Sequence, residues 1–234
     1  MMQRFMITLL MAVLAVIPGC EDSLDTPAEA AVPDGAYLLG LTRNHQLRYI
    51  IYDSLVTDPF DSAGIIYDTS YMEVTITRGQ NGQVQLAVDG EPHDLLTVDP
   101  QGVLHSGQIR PHAAPPDTIF LYPTPLIIPR TYLVGNSWSY VSPRYIDSAA
   151  EVRRTVLFLN YGFITERECI GTADVILPTK SYDAWQFQAL LYLDDTAVEP
   201  FITVDEYYAP GVGLVQLVSH SGFSRRLIIL LEDH

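Results

Sequence analysis

Four carboxylates in the C-terminal part of the chain have the side chains that acid–base catalysis needs: Asp194, Asp195, Asp205 and Glu206. Two carboxyl groups that converge on one bond can serve as general acid and as base or nucleophile in the hydrolysis of a polymer. The alternative interpretation is that these residues are solvated strand ends and turns. A hydrolase is therefore an alternative function that requires these carboxylates to meet in one cleft.

Other sequence motifs of catalysis or ligand binding do not occur, although a Ser–His–Asp triad is assembled in space and needs no motif in the sequence. Residues 135–139, GNSWS, lack the closing glycine of the nucleophile elbow found in serine hydrolases. His105 and His112 form one pair, and a single pair does not make a metal site. The chain has no phosphate-binding loop and no dinucleotide fingerprint. We predict no catalytic residue, no metal site and no cofactor.

The N-terminus carries a different kind of chemistry, centred on Cys20. One positive charge, Arg4, precedes a run of 13 mostly apolar residues from Phe5 to Ile17. This layout is typical of a signal peptide, and the run is shorter than the roughly 20 apolar residues that span a bilayer. We predict that residues 1–19 are a signal peptide.

The end of this segment, Ile17-Pro18-Gly19-Cys20, resembles the bacterial lipobox. The resemblance implies that the Cys20 thiol receives a diacylglyceryl group and that cleavage exposes the amine of this residue. Two or three acyl chains, at about 0.8 kcal/mol per buried methylene, give a stable membrane anchor. The alternative is an ordinary signal peptide that happens to contain a cysteine.

The charge balance narrows the choice of partners. Residues 1–19 contain one base and no acid, so the remaining chain has 12 basic and 28 acidic residues and a net charge of −16. This excess of acids argues against nucleic acid as a partner and against adsorption to anionic lipid. The chain is therefore predicted to bind the membrane only through its N-terminal lipid.

The domain organisation follows from composition. Residues 20–34 are acidic, contain alanine and proline and have no aromatic residue, which predicts a flexible tether with a reach of roughly 20 Å. Residues 35–234 are predicted to form a single β domain. Alternating apolar and polar residues, with Asn-Gly and Asp-Gly turns between them, indicate strands in segments 71–77, 84–88, 185–193, 201–208, 214–219 and 225–231.

The segment from Pro111 to Pro129 contains six prolines and is predicted to be a long crossover loop. Its apolar residues at 119–122 and 126–128 indicate that it lies on the domain, either as a cover over a sheet edge or as a lid over a pocket. Residues 147–154 are compatible with a short helix. Cys169, in a strand-like stretch, is predicted to be a buried and unreactive thiol.

Three motifs resemble a family of bacterial envelope β-domains of unknown function, over roughly residues 130–234. They are VGNSWSY at 134–140, GTADVILP at 171–178 and YYAPGVGLV at 207–215. The family's middle motif is followed by a glycine-containing turn, whereas residues 178–184 here contain no glycine. The resemblance implies an architecture similar to lipoprotein carriers, namely a curved antiparallel sheet forming a half-barrel with an apolar concave face. It transfers no catalytic residue.

The aromatic and glycine residues of these motifs are predicted to be structural: Trp138, Tyr140, Tyr207, Tyr208, Gly211 and Gly213. Alternation places Trp138 and Tyr140 on one face as core anchors, and Tyr207 and Tyr208 on opposite faces. The predicted fold is mainly β, with a single curved antiparallel sheet or half-barrel meander and few short helices.

These observations favour a non-enzymatic binding or envelope-maintenance module, anchored by lipid in the cell envelope. Residues 190–193 carry apolar side chains on both faces of their strand, which suggests a second cover, either an apolar ligand or an envelope protein. One alternative is an envelope hydrolase that uses the clustered carboxylates. Another is a surface structural or interaction protein, because Glu21 and Asp22 resemble an acidic surface-export signal. The predicted location is the outer membrane, at its periplasmic face or at the cell surface.

Overall fold

The computed structural model describes residues 33–56, 64–110, 117–121, 124–141 and 163–234. All of them lie in one compact unit, Val32–His234. In these ranges no helix has the length and apolarity to cross a membrane. The predicted signal peptide, nearly all of the tether and the short helix at 147–154 lie outside the described residues.

The described residues form one short helix and thirteen strands. They are α1 Gly35–Leu38, β1 His45–Val56, β2 Ile65–Arg78, β3 Gln83–Val88, β4 Glu91–Val98, β5 Gly102–Arg110, β6 Asp117–Phe120, β7 Leu126–Pro129, β8 Ser137–Val141, β9 Ile164–Ile176, β10 Ser181–Tyr192, β11 Ile202–Ala209, β12 Gly213–His220 and β13 Ser224–Asp233.

All strands belong to one antiparallel sheet, in the order β6-β5-β4-β3-β2-β1-β13-β12-β11-β10-β9-β8, with β7 pairing beside β6 on β5. The sheet consists of an N-terminal meander and a C-terminal meander, which are joined where β1 pairs with β13. Strands β6 and β8 each have one paired neighbour among the described strands, so the sheet is not closed. The prediction of a mainly β fold with one curved antiparallel sheet is confirmed.

One face of the sheet surrounds a continuous apolar core. Side chains alternate between buried and partly exposed along β1, β3 and β10, as expected for strands with one covered face. The buried residues of both meanders belong to a single core cluster. We call this side of the sheet the inner face and the opposite side the outer face.

Helix α1 closes one end of the inner face. Asp34 caps it, with its carboxylate accepting a hydrogen bond from the backbone N–H of Ala36 at 2.9 Å. The carbonyl of Tyr37 accepts a hydrogen bond from the N–H of Gly211 at 2.9 Å, while Gly35 donates to the carbonyl of Arg130 at 3.4 Å. The helix therefore connects the end of β7 to the turn between β11 and β12.

The proline-rich segment differs from the predicted loop. Parts of its two apolar stretches lie in β6 and β7, and both strands pair with β5. Leu121, Ile127 and Ile128 are buried, so the described part of this segment extends the edge of the sheet and packs against the core. Pro129 is tolerated because it lies at the last position of a short strand, where the missing N–H is not needed by the ladder.

Candidate functional site

Five aromatic rings fill the inner face between β8, β10 and β11, and we call them the aromatic cluster: Tyr132, Trp138, Trp185, Phe187 and Tyr208. The Tyr132 ring lies 5.4 Å from Phe187 and 6.2 Å from Trp185, in edge-to-face geometry. Phe187 also contacts Trp138 at 6.0 Å and Tyr208 at 5.9 Å. Such pairs add about 0.5–1.5 kcal/mol beyond the burial of their area. The inner face is therefore packed with the protein's own side chains at this place.

A buried ion pair lies beside the aromatic cluster. Arg167 on β9 donates from Nη2 to Oε1 of Glu206 on β11 at 2.9 Å, and both side chains are fully buried. The pair crosses β10 at Ala189, the register partner of both Arg167 and Val204, where a methyl group leaves room for the guanidinium. The pair leaves no local signal in the sequence, because its partners are 39 residues apart.

Further contacts fix the Arg167 guanidinium. Its Nη1 donates to the carbonyl of Ile127 on β7 at 3.2 Å, and the indole N–H of Trp138 donates to the same carbonyl at 3.0 Å. The Tyr140 ring lies 5.6 Å from the guanidinium carbon. These side chains link β7 to β8 and β9, although β7 pairs with neither of these strands in the sheet.

The electrostatics of the pair favour the ionised arginine. Burial alone would lower the pKa of the Arg167 guanidinium, but the charge of Glu206 outweighs this and raises it. Burial raises the pKa of Glu206 above its ordinary value, although the charge of Arg167 opposes the shift. Burial also raises the pKa of Tyr208 well above its usual range, so its phenol stays neutral. Because the Glu206 carboxylate is buried and paired with Arg167, a substrate cannot reach it.

The four candidate carboxylates do not converge. Asp194 is exposed and accepts hydrogen bonds from the hydroxyl and the backbone N–H of Thr196, at 2.7 and 2.9 Å, which lower its pKa. Asp195 is also exposed. Asp205 lies on the outer face, whereas the neighbouring Glu206 lies on the inner face. The cleft that the hydrolase alternative requires is not formed by these residues.

A second buried polar cluster lies on β4 and β5. The Asp94 carboxylate contacts Nδ1 of His93 at 2.6 Å and Nε2 of His105 at 2.9 Å. Burial would raise the pKa of Asp94, but the hydrogen bonds from His105 and His93 lower it below its ordinary value. His112, the other histidine of the sequence pair, lies outside the described residues. Within the described ranges, no group of histidine, cysteine and acidic side chains is suited to a metal ion.

The aromatic motif residues occupy the inner face, with one exception. Trp138 and Tyr140 share the inner side of β8, and Tyr208 is buried beside them. Tyr207 lies on the outer face. Cys169 is also on the inner face, and burial raises the pKa of its thiol to about 11.

The two motif glycines allow α1 to approach the β11–β12 turn. Gly211 has φ +76°, and a Cβ there would lie 2.9 Å from the Tyr37 ring. Gly213 has φ +103°, and a Cβ there would lie 2.9 Å from the carbonyl oxygen of Leu39. Both positions therefore favour glycine. The lipobox residues Ile17, Pro18, Gly19 and Cys20 lie outside the described residues.

The outer face carries a set of side chains that only the pairing of distant strands brings together. Three cross-strand rows extend over β2, β1, β13, β12, β11 and β10, and we call these eighteen residues the tyrosine platform. The rows are Tyr71-Ile50-Ile229-Gln216-Tyr207-Gln186, Thr69-Tyr52-Leu227-Val218-Asp205-Gln188 and Tyr67-Ser54-Arg225-His220-Thr203-Leu190. Every member is at least partly exposed.

The tyrosines of β1 and β2 are the most prominent members of the platform. Tyr67, Tyr71 and Tyr52 are 77%, 61% and 42% exposed. At the border, the Arg48 guanidinium lies 5.7 Å from the Tyr71 ring and 3.6 Å from the Glu232 carboxylate. Exposed aromatic side chains in one contiguous group are typical of a binding surface.

Comparisons with known proteins find only a distant similarity of fold. No protein-family model matches the chain, and no curated protein matches it in sequence. The family resemblance of the three motifs therefore stays a prediction.

Several solved structures are similar to this chain. One is a β-barrel-like domain of unknown function from Brucella abortus, with 10% identity, a TM-score of 0.37, and coverage of 80% of this chain and 97% of that chain. A predicted exported protein with a YmcC-like fold from Bacteroides fragilis has 10% identity, a TM-score of 0.36, and coverage of 85% and 99%. A predicted lipoprotein from Parabacteroides distasonis has 12% identity, a TM-score of 0.36, and coverage of 87% and 100%. Values of this size carry no information about activity.

Proposed function

We propose that this chain is a lipid-anchored, non-enzymatic binding protein of the bacterial cell envelope, which contacts its partner through the tyrosine platform. The observation that carries the proposal is the grouping of Tyr52, Tyr67 and Tyr71 in adjacent register positions on the outer face. Large tyrosines offer contact area at a low entropic cost, because they have few rotatable bonds. A role in binding explains their exposure better than folding does.

The inner face is less suited to a ligand. Protein interiors are close-packed, and here the aromatic cluster and the Arg167–Glu206 pair occupy the concave side. An apolar ligand at this place would have to displace these side chains. The apolar residues that suggested a second cover are accounted for otherwise, since Leu190 is a platform member and Leu193 is exposed.

Lipid on Cys20 is supported by the lipobox-like ending of the predicted signal peptide and by the acidic charge of the rest of the chain. Labelling cells with an alkyne fatty acid should label the wild-type protein and place it in the membrane fraction. Cys20→Ala should lose both the label and the membrane association, whereas Cys169→Ala, a change at the only other cysteine, should keep them. A labelled Cys20→Ala protein would refute the anchor.

The binding role is tested with the full mature chain, purified with its lipid in detergent. Envelopes of the producing bacterium, washed free of lipid in the same detergent, serve as the binding material in a sedimentation assay. Tyr67→Ala and Tyr71→Ala should each raise the dissociation constant measured in this assay about tenfold, which corresponds to a loss of about 1.4 kcal/mol of binding free energy. Phe120→Ala, which removes a 74% exposed ring on the distant β6, is the matched control. Unchanged binding of both tyrosine variants would refute the proposal.

A further inference from the structure

We infer that the partner of the tyrosine platform is a neutral glycan, an inference that rests on the proposed function and names its ligand class. The candidate partners for an exposed sheet face are a glycan, a protein and a second copy of this chain. Charge, hydrogen-bonding capacity and the placement of the rings distinguish them.

The platform is nearly free of charge in a strongly acidic protein. The chain beyond residue 19 has a net charge of −16. Only two of the eighteen platform residues, Asp205 and Arg225, are acidic or basic, and their charges are opposite. The exposed Glu166 and Glu168 flank the platform on β9, in register with Leu190 and Gln188, and would repel a polyanion. A surface built for a polyanion or a basic protein carries clustered charge of one sign. The platform is complementary to an uncharged partner, and the acidity of the whole chain opposes association of two copies.

The platform is rich in groups that form hydrogen bonds. Thirteen of its eighteen side chains contain a hydroxyl, amide, carboxylate, guanidinium or imidazole group. The amides of Gln186, Gln188 and Gln216 can each donate and accept. The Gln188 amide already donates to Oδ1 of Asp205 at 3.3 Å, which orients both groups. The centre of a protein–protein interface is more apolar than this, whereas a polyhydroxylated ligand needs many donors and acceptors.

The tyrosine rings supply the other half of sugar recognition. Sugar rings have one face of C–H groups, which stacks on an aromatic ring, and an edge of hydroxyls. Tyr67 and Tyr71 lie on the same side of β2, four residues apart, which at about 3.4 Å per residue separates them by about 14 Å. Tyr52 lies between them, opposite Thr69 on the neighbouring strand. This spacing is longer than one sugar ring, so the site fits an oligosaccharide or polysaccharide chain.

The decisive experiment divides the detergent-washed envelopes into portions that are untreated, oxidised with periodate or digested with protease. Periodate cleaves the vicinal diols of sugars and leaves most of the polypeptide in place. We expect the lipidated wild-type protein to bind periodate-treated envelopes at least tenfold more weakly than untreated ones. Binding to protease-treated envelopes should be unchanged. We also expect the binding affinity to change less than twofold between about 0.05 and 0.5 M NaCl, because an uncharged ligand forms no ion pairs with the protein that salt could screen.

Variants connect this result to the platform. Tyr71→Ala should weaken binding to untreated envelopes about tenfold, whereas Tyr71→Phe, which keeps the ring, should stay within about threefold of wild type. Phe120→Ala should bind as wild type does. Equal thermal midpoints of all variants exclude unfolding as the cause.

The remaining outcomes overturn the inference and separate it from the proposed function. Binding that depends on Tyr67 and Tyr71 but resists periodate overturns the inference of a glycan with vicinal diols and leaves the proposed function standing; loss of this binding after protease then identifies a protein partner. Dimers that dissociate in the tyrosine variants identify a second copy. A steep loss of binding with salt refutes the neutral ligand. Binding that is indifferent to the tyrosines refutes both proposals.

Discussion

Replacing Arg167 by methionine tests what the buried ion pair contributes to the fold. The change removes the 2.9 Å hydrogen bond to Glu206 and the 3.2 Å hydrogen bond to the carbonyl of Ile127. The carbonyl keeps its bond from Trp138, but the Glu206 carboxylate is left fully buried without its opposing charge. Removing one partner of a buried pair costs about 3–5 kcal/mol. We expect the free energy of unfolding at pH 7 to fall by this amount.

The same variant should show a characteristic dependence on pH. Burial already raises the folded-state pKa of Glu206, and loss of Arg167 raises it further, while the unfolded value is about 4.3. A raised folded-state pKa means that the folded protein holds the proton more firmly. The deficit relative to wild type is therefore smallest below about pH 4 and grows as the pH rises through the folded-state pKa.

Urea unfolding followed by tryptophan fluorescence measures both effects, because the only two tryptophans, Trp138 and Trp185, belong to the aromatic cluster. Arg167→Met combined with Glu206→Gln should regain much of the loss and show no such pH dependence, since no buried charge remains. The control is Arg48→Met, whose partner lies 3.6 Å away and where both side chains are about half exposed; it should cost less than about 1 kcal/mol. A loss below about 1 kcal/mol for Arg167→Met, or a deficit independent of pH, would refute the reasoning.

Three further predictions concern the backbone and two titratable groups. Gly40→Ala should destabilise by at least about 3 kcal/mol, because φ is +71° and a Cβ would lie 2.4 Å from the Val212 carbonyl oxygen; Gly135→Ala, with φ +80° and open space, should cost about 1–2 kcal/mol in the same urea titration. Asp94→Asn should weaken the decline of stability below about pH 4, because a lowered folded-state pKa makes the contribution of Asp94 present above the unfolded value and lost as the pH falls. The Cys169 thiol, with its pKa raised to about 11, should react at least about 100-fold more slowly with a disulfide reagent at pH 8 in the folded protein than in urea, and equal rates would contradict its burial.

The strands and their faces follow from the sequence where the signal is local. Phe187, Ala189 and Leu191 share one face by alternation, and all three are buried on the inner face. A period of two is written into each strand and needs no knowledge of its neighbours. The pairing of β1 with β13 has no such signal, because it joins the two ends of the domain. Strands β6 and β7 were concealed by the prolines around them.

The buried pair and the tyrosine platform show the same limit. Alternation places Glu206 on the same face of β11 as Val204 and Tyr208, and this face points to the core. A carboxylate is nevertheless expected to be exposed unless a buried partner for it is known. That partner, Arg167, is separated from it by β10. The exposed tyrosines of β1 and β2 share one face of the sheet with Tyr207 only because the β1–β13 pairing joins the two meanders. Both features depend on contacts between distant strands.

The placement of the β-bulges explains how a curved sheet can offer a regular outer surface. Extra residues Ile170 on β9, Val215 on β12 and Leu231 on β13 interrupt the ladders beside the first row of the platform. Bulges concentrate bending and twist where they occur. Within the three platform rows, all five pairings from β2 to β10 continue without a register shift. Bending at these three bulges therefore lies to one side of the platform, and the three rows keep the even spacing that the proposed extended ligand requires.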